Sequence, residues 1–142
     1  MRNFLCIIIL IIIVGCSHEQ SHNELLTNAE RIVFTQPDSV VGMLSPCWND
    51  TAMSEADRAL FGLLYTEAIH RSGLYIGTDS LIKASRKYFE QHGDDEHLAR
   101  SILHHGIILY HQQKTREAIL SMKQAEQMAS GLNKPAFDWY LF

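Results

Sequence analysis

Apolar residues follow two rhythms along this chain. Between residues 4 and 14 they run unbroken as Phe-Leu-Cys-Ile-Ile-Ile-Leu-Ile-Ile-Ile-Val, whereas beyond residue 23 they recur at spacings of three and four, the period of helices that bury one stripe. Leu25, Leu26, Ala29, Ile32 and Val33 define a first helix over 23–34, which Pro37 ends. Proline fits a first helical turn and Asp38 suits the positive end of a helix dipole, so 37–44 reads as a short second helix, stopped by Ser45-Pro46. After a loop, Ser54-Glu55-Ala56-Asp57 has the form of an N-terminal capping box. It opens a third helix that carries Ala56, Leu60, Leu63, Leu64 and Ala68 to about residue 71. Thr78 or Asp79 caps a fourth, with Leu81, Ile82, Ser85, Tyr88 and Phe89 inward and Gly93 just past its end. Helices three and four form a hairpin. Asp94 and Asp95 open a fifth helix, reaching about residue 113, whose Leu98, Ile102 and Leu109 with the small Ala99 and Gly106 make a close-packing face. The sixth runs over about 116–130 with Ala118, Ile119, Met122, Ala125 and Met128 inward, closed by Gly131, and residues 135–142 start a seventh. The pattern predicts an all-α fold of antiparallel helical hairpins.

The unbroken N-terminal run needs another explanation. As a helix, eleven residues rise about 16 Å, roughly half of a ~30 Å hydrocarbon core. That is too short for an uncleaved signal anchor with Cys16 as a bystander thiol. It fits the hydrophobic region of a secretory signal, with Arg2 as the positive flank. Ile13-Val14-Gly15-Cys16 resembles the bacterial lipobox, which implies lipid on the Cys16 sulfur, cleavage after Gly15 and acylation of the new amine. Several acyl chains on one residue hold durably, at ~0.8 kcal/mol per buried methylene. The organisation expected is a signal peptide over 1–15, a lipidated cysteine and polar spacer over 16–23, and a helical-repeat domain over 24–142. The protein would be lipid-anchored to the outer or inner membrane of a cell envelope, facing the periplasm or the exterior.

Composition narrows the picture further. Sixteen acidic against twelve basic residues give a formal net charge of −4, which disfavours nucleic acid as a partner. With 8 glycines and 3 prolines in 142 residues there is little punctuation for a many-stranded sandwich. Of the 3 cysteines, Cys6 leaves with the signal and Cys16 is modified, so Cys47 has no internal disulfide partner.

Residues 97–131 resemble a tetratricopeptide repeat, a helical hairpin that stacks on copies of itself. Ile102 and Gly106 stand where that repeat has a large residue followed by a small one, and Ala118, Met122 and Ala125 stand where its second helix has small, large and small. His105 departs from the apolar residue usual before the small one, and Ser130 from the proline near the repeat's end. The earlier segments Gln-Pro-Asp-Ser-Val-Val-Gly-Met-Leu (36–44), Leu-Leu-Tyr-Thr-Glu-Ala (63–68) and Asp-Ser-Leu-Ile (79–82) are similar to phrases in tetratricopeptide lipoproteins and membrane regulators of Bacteroides-like bacteria. The hairpin over 54–92 is degenerate, because its 73–78 connection is longer than the usual tight turn.

The resemblance implies stacked hairpins with a concave groove that binds a protein or peptide. Arg100, Leu103, Ile107, Tyr110 and His111 would line it, a set suited to an apolar or helical peptide, although Leu103 and Ile107 could instead contact a neighbouring helix. Members of this group are typically longer and often end in a membrane helix with an output part, so the second reading is the sensory portion of a signalling regulator. Residues 134–142 would begin a further, incomplete repeat. They place Phe137, Trp139, Tyr140, Leu141 and Phe142 at an uncovered apolar end, expected either of a truncated piece or of a surface for docking or self-association.

Candidate chemistry is sparse. Of 8 histidines, His97, His104 and His111 recur at intervals of seven along the fifth helix. Such neighbours lie about 10.5 Å apart along the axis, too far for one zinc with ligand nitrogens at ~2.0–2.1 Å. A solvated or groove-facing histidine stripe is expected, with no metal and no cofactor. No Gly-x-Ser-x-Gly or phosphate-binding glycine loop occurs. Cys47 beside Trp48 reads as a small buried apolar residue rather than a reactive thiol, and Asp94, Asp95 and Glu96 read as helix-capping charge. No enzymatic reaction is expected.

Overall fold

The computed structural model describes residues 22–132. Helix α1 occupies 22–32, followed by α2 (Pro37–Leu44) with a 3-10 turn at Ser45–Cys47, then α3 (Glu55–Arg71), α4 (Ser80–His92), α5 (Asp95–His111) and α6 (Thr115–Leu132). The fold is all-α, and no strand occurs among the described residues. The signal segment, Cys16 and the proposed seventh helix over 135–142 lie outside the described residues.

Local chemistry sets most of the boundaries. Ser54 Oγ accepts from the Asp57 amide at 3.1 Å and donates to Asp57 Oδ2 at 2.9 Å, closing the start of α3. Asp94 Oδ1 accepts from the His97 amide at 3.2 Å at the start of α5. Gly93, at φ +68°, is the left-handed residue that ends α4. At the start of α4 the side-chain cap comes from Thr78, whose Oγ1 accepts from the Ser80 amide at 3.3 Å, while Asp79 turns to Lys83.

Several expectations need correction. Residues 22 and 23 belong to α1 rather than to a spacer, because His22 is buried and its Nε2 meets Asp50 Oδ2 at 2.9 Å. Gly131 does not close α6, which continues through Leu132. Ala56 is exposed in the first turn of α3, and Ile119 is exposed because the buried face of α6 follows Ala118, Ser121, Ala125 and Ala129.

Helix α3 is the central rod. Its Phe61, Leu64 and Ala68 pack with Leu26, Ala29, Val33, Val40 and Leu44 of the preceding segments. On its other side Ala59, Leu63 and Ile69 join Ile82, Phe89, Leu98, Ile102, Ile108 and Ala125. Burial on both sides explains why α3 lacks a single apolar stripe.

Glycines set the closest helix approaches. A Cβ at Gly106 of α5 would lie 2.9 Å from Met122 Cγ, 3.2 Å from Ser121 Cβ and 3.3 Å from the Ala118 carbonyl oxygen. Ser121 Oγ donates to the Ile102 carbonyl at 2.8 Å across the same crossing. Ile102, Ala118 and Ala125 are buried there and Met122 half-buried. In α3, a Cβ at Gly62 would overlap Ser85 Oγ and lie 3.2 Å from Leu81 of α4. These close approaches make α3 and α4, and likewise α5 and α6, packed neighbours.

Candidate functional site

Helices α1, α3 and α5 meet along a face rich in charge. Glu67 of α3 is fully buried, on the helix stripe that includes Leu63, Leu64 and Ala68. A buried carboxylate persists only if opposite charge and hydrogen bonds replace its lost hydration. Arg100 of α5 supplies both, with Nη2 donating to Glu67 Oε2 at 2.8 Å, while Arg71 Nε donates to Oε1 at 2.9 Å. Arg100 Nη1 also donates to Glu30 Oε1 of α1 at 2.7 Å. The Phe34 ring faces the Arg71 guanidinium at 4.2 Å.

His97 extends the cluster. Its Nε2 donates to Glu30 Oε1 at 2.7 Å and its Nδ1 to Asp94 Oδ2 at 2.6 Å, so both nitrogens carry protons toward carboxylates. Burial opposes the charge of His97, but the bonds to Glu30 and Asp94 outweigh it and raise its pKa. The His97 hydrogen bond, against the cost of burial and with help from Arg100, holds the Glu30 carboxyl down at about 2. Two helix turns on, His104 is buried, with Nδ1 3.0 Å from His70 Nδ1 and Nε2 3.8 Å from Glu67 Oε2. One Nδ1 donates to the other only if the accepting ring is neutral. Burial enforces this, lowering His104 to about 3 and, with help from nearby His111, His70 to about 4.

These contacts correct two expectations. Arg100 is not a free groove side chain, because its guanidinium is consumed by Glu67 and Glu30. The histidines on α5 are not a solvated stripe: His97 is paired and His104 buried, and only His111 is exposed. Glu30, Glu67, His70 and Arg71 escaped the sequence reading. The available signal was a charged residue at an inward helical position, as at Glu67.

The exposed part of this region lies at the C-terminal end of α5. Tyr110 is 61% exposed, and His111 stacks obliquely on Tyr75, itself 51% exposed, with ring centroids 5.0 Å apart. Tyr75 and the 52%-exposed Leu74 come from the α3–α4 loop, which Ile76 pins into the core. Leu103 and Ile107 are half-buried on α5, and Leu103 packs on the core beneath. The sequence placed Tyr110 and His111 together but missed Leu74 and Tyr75, two large residues bracketed by Gly73 and Gly77.

Chemically, the buried cluster fixes charge between helices, and the exposed edge offers rings and apolar surface. Among the described residues, no group of three or more His, Cys, Asp or Glu side chains is arranged to hold a metal ion, and no helix is long and apolar enough to cross a membrane. Cys47 is half-buried, and burial, assisted by Asp50, pushes its thiol pKa up, which disfavours a thiolate. No protein-family model matches the chain, and neither a curated protein nor a solved structure shows a significant match to it.

Proposed function

We propose that this chain is a lipid-anchored, tetratricopeptide-like scaffold that holds a protein or peptide partner at the cell envelope. One observation carries the reading: rings from two separate elements, Tyr75 of the α3–α4 loop and His111 of α5, converge beside exposed Tyr110 and Leu74. Aromatic side chains on a stiff support are the groups that most often dominate partner binding. The support is stiff because Arg100, Glu67 and Glu30 tie the first half of α5 to α3 and α1, about 15 Å along the helix from Tyr110. A helical peptide with apolar side chains, laid along α5, would meet Tyr110, then Ile107 and Leu103. The proposed tether is Cys16, preceded by Ile13-Val14-Gly15.

The test replaces Tyr110 with photoreactive p-benzoylphenylalanine in living cells, with exposed Lys123 of α6 replaced as the control. The reading expects a discrete protein adduct from position 110, absent from position 123 and lost when Tyr75→Ala is added. Identical adducts from both positions, or an adduct indifferent to Tyr75→Ala, would overturn it. Metabolic labelling with an alkyne fatty acid examines the tether: label on the wild type and none on Cys16→Ser is expected, and an unlabelled wild type refutes it.

A further inference from the structure

We propose that the cavity between α4, α5 and the start of α6 binds a small organic anion, with a carboxylate or phosphate head and an apolar body. The cavity is open to solvent, has a volume of about 470 Å³, and is lined by Lys83 and Arg86 of α4 and by Lys114 at the head of α6. Its size falls in the range of small-molecule sites, roughly 300–1,000 Å³.

The charges on its wall are unevenly matched. Lys83 is neutralised by Asp79, with Nζ 2.8 Å from Oδ2. Arg86 and Lys114 have no ion-pair partner among the described residues. Arg86 meets only the amide oxygen of Gln124 at 3.4 Å, and Lys114 only that of Gln112 at 2.9 Å. Glu117 is the remaining acid on the wall, which leaves the cavity positive in a chain of net charge −4. The first turn of the 18-residue α6 borders the same space, and a helix start adds positive potential and amide donors. Leu109 and Leu120 contribute apolar wall, and Leu120 is largely exposed.

An independent observation comes from His105, whose side chain lines the cavity yet is only 8% exposed. Its Nε2 lies 3.5 Å from Asp79 Oδ2, within reach of that carboxylate, whereas Nδ1 is buried without a hydrogen-bond partner. Burial lowers the pKa of this imidazole against the pull of Asp79, so at neutral pH one nitrogen carries a proton and the other does not. A buried ring nitrogen without a partner is costly in a folded protein, and Nδ1 is the one that Asp79 does not serve. An oxyanion held by Arg86 and Lys114 would favour uptake of a second proton at Nδ1 and accept its hydrogen bond.

The experiment titrates the isotope-labelled full chain, solubilised in nonionic detergent, with phenyl phosphate, benzoate, inorganic phosphate and benzylammonium. Amide and side-chain NMR shifts report the site. Saturable shifts centred on Arg86, His105 and residues 114–117 are expected from phenyl phosphate or benzoate, and the tighter of the two identifies the head group. Inorganic phosphate should bind at least tenfold more weakly, and benzylammonium should leave these signals unmoved. The double variant Arg86→Gln/Lys114→Gln, with its helical circular dichroism intact, should weaken binding at least tenfold. The proposal fails if neither organic anion saturates the site, if benzylammonium moves the same signals, if inorganic phosphate binds equally well, or if the double variant binds like wild type. None of these readouts involves Tyr75 or Tyr110, so the outcome is separable from that of the partner-binding test.

Discussion

Replacing Arg100 with methionine keeps most of the side chain's bulk but removes the cation that meets Glu67 and Glu30. Glu67 is fully buried, and breaking a buried ion pair from one side costs about 3–5 kcal/mol, because the remaining charge is stranded. Arg71 still reaches Glu67 Oε1 at 2.9 Å, from a side chain with 23% of its surface exposed, so we place the loss at the lower end, about 3 kcal/mol. Removing the second charge should then return stability: in Arg100→Met/Glu67→Gln the carboxylate is no longer stranded, and the double variant should be more stable than Arg100→Met. Urea unfolding of the wild type, both single variants and the double variant, followed by circular dichroism at neutral pH, gives the complete cycle. If Arg100→Met loses less than about 1 kcal/mol, or if adding Glu67→Gln lowers stability further, the cluster does not hold these helices together as described.

Acid should weaken the fold through the same face. His70 and His104 are held at about 4 and about 3, below the ordinary histidine value of 6.5. The unfolded chain therefore binds protons first, and stability falls as pH drops from 6.5 toward those values. Glu30, held at about 2, adds loss as pH falls below 4.5. The raised His97 works the other way, contributing stability below 6.5 that disappears as pH rises through its folded value. Three lowered histidines, His70, His104 and His105, against one raised predict a net decline in unfolding free energy between pH 6.5 and 4, shallower in His104→Gln; a flat profile would contradict the buried neutral pair. At the exposed edge, Tyr75→Ala and Tyr110→Ala should each change stability by less than about 0.5 kcal/mol. Both should nonetheless reduce co-purification of the partner that crosslinking identifies, captured without crosslinking, and undiminished capture would remove the edge from the account.

Helix ends were legible because their signals are local: Ser54 with Asp57, Asp94 with the His97 amide, and Gly93 each act within three or four residues. The close approach at Gly106 was legible too, since a missing side chain between apolar positions can serve only a near neighbour. Facing directions were read less well. Ile119 lies one residue from buried Ala118, a rotation of about 100° around the helix, and polar Ser121 rather than an apolar residue completes the buried face. The ionic cluster was invisible for a different reason. Arg100 finds Glu67 and Glu30 at sequence separations of 33 and 70, and no periodicity encodes which charge on one helix meets which on another. Tyr75 shows the same limit, because its neighbour His111 is supplied by a helix that begins twenty residues later in the chain.

The packing of α5 against α6 underlies every other statement, and a pair of glycine substitutions tests it most directly. At Gly42 of α2 a Cβ meets nothing within 4 Å, so Gly42→Ala should raise the unfolding free energy by up to about 1 kcal/mol through helix propensity alone. At Gly106 the same propensity gain is available, but Met122, Ser121 and the Ala118 carbonyl occupy the space, and Gly106→Leu should lower the unfolding free energy by about 1–3 kcal/mol. Opposite signs in the two variants are the predicted result. A Gly106→Leu chain as stable as the wild type would mean that α5 and α6 do not cross there.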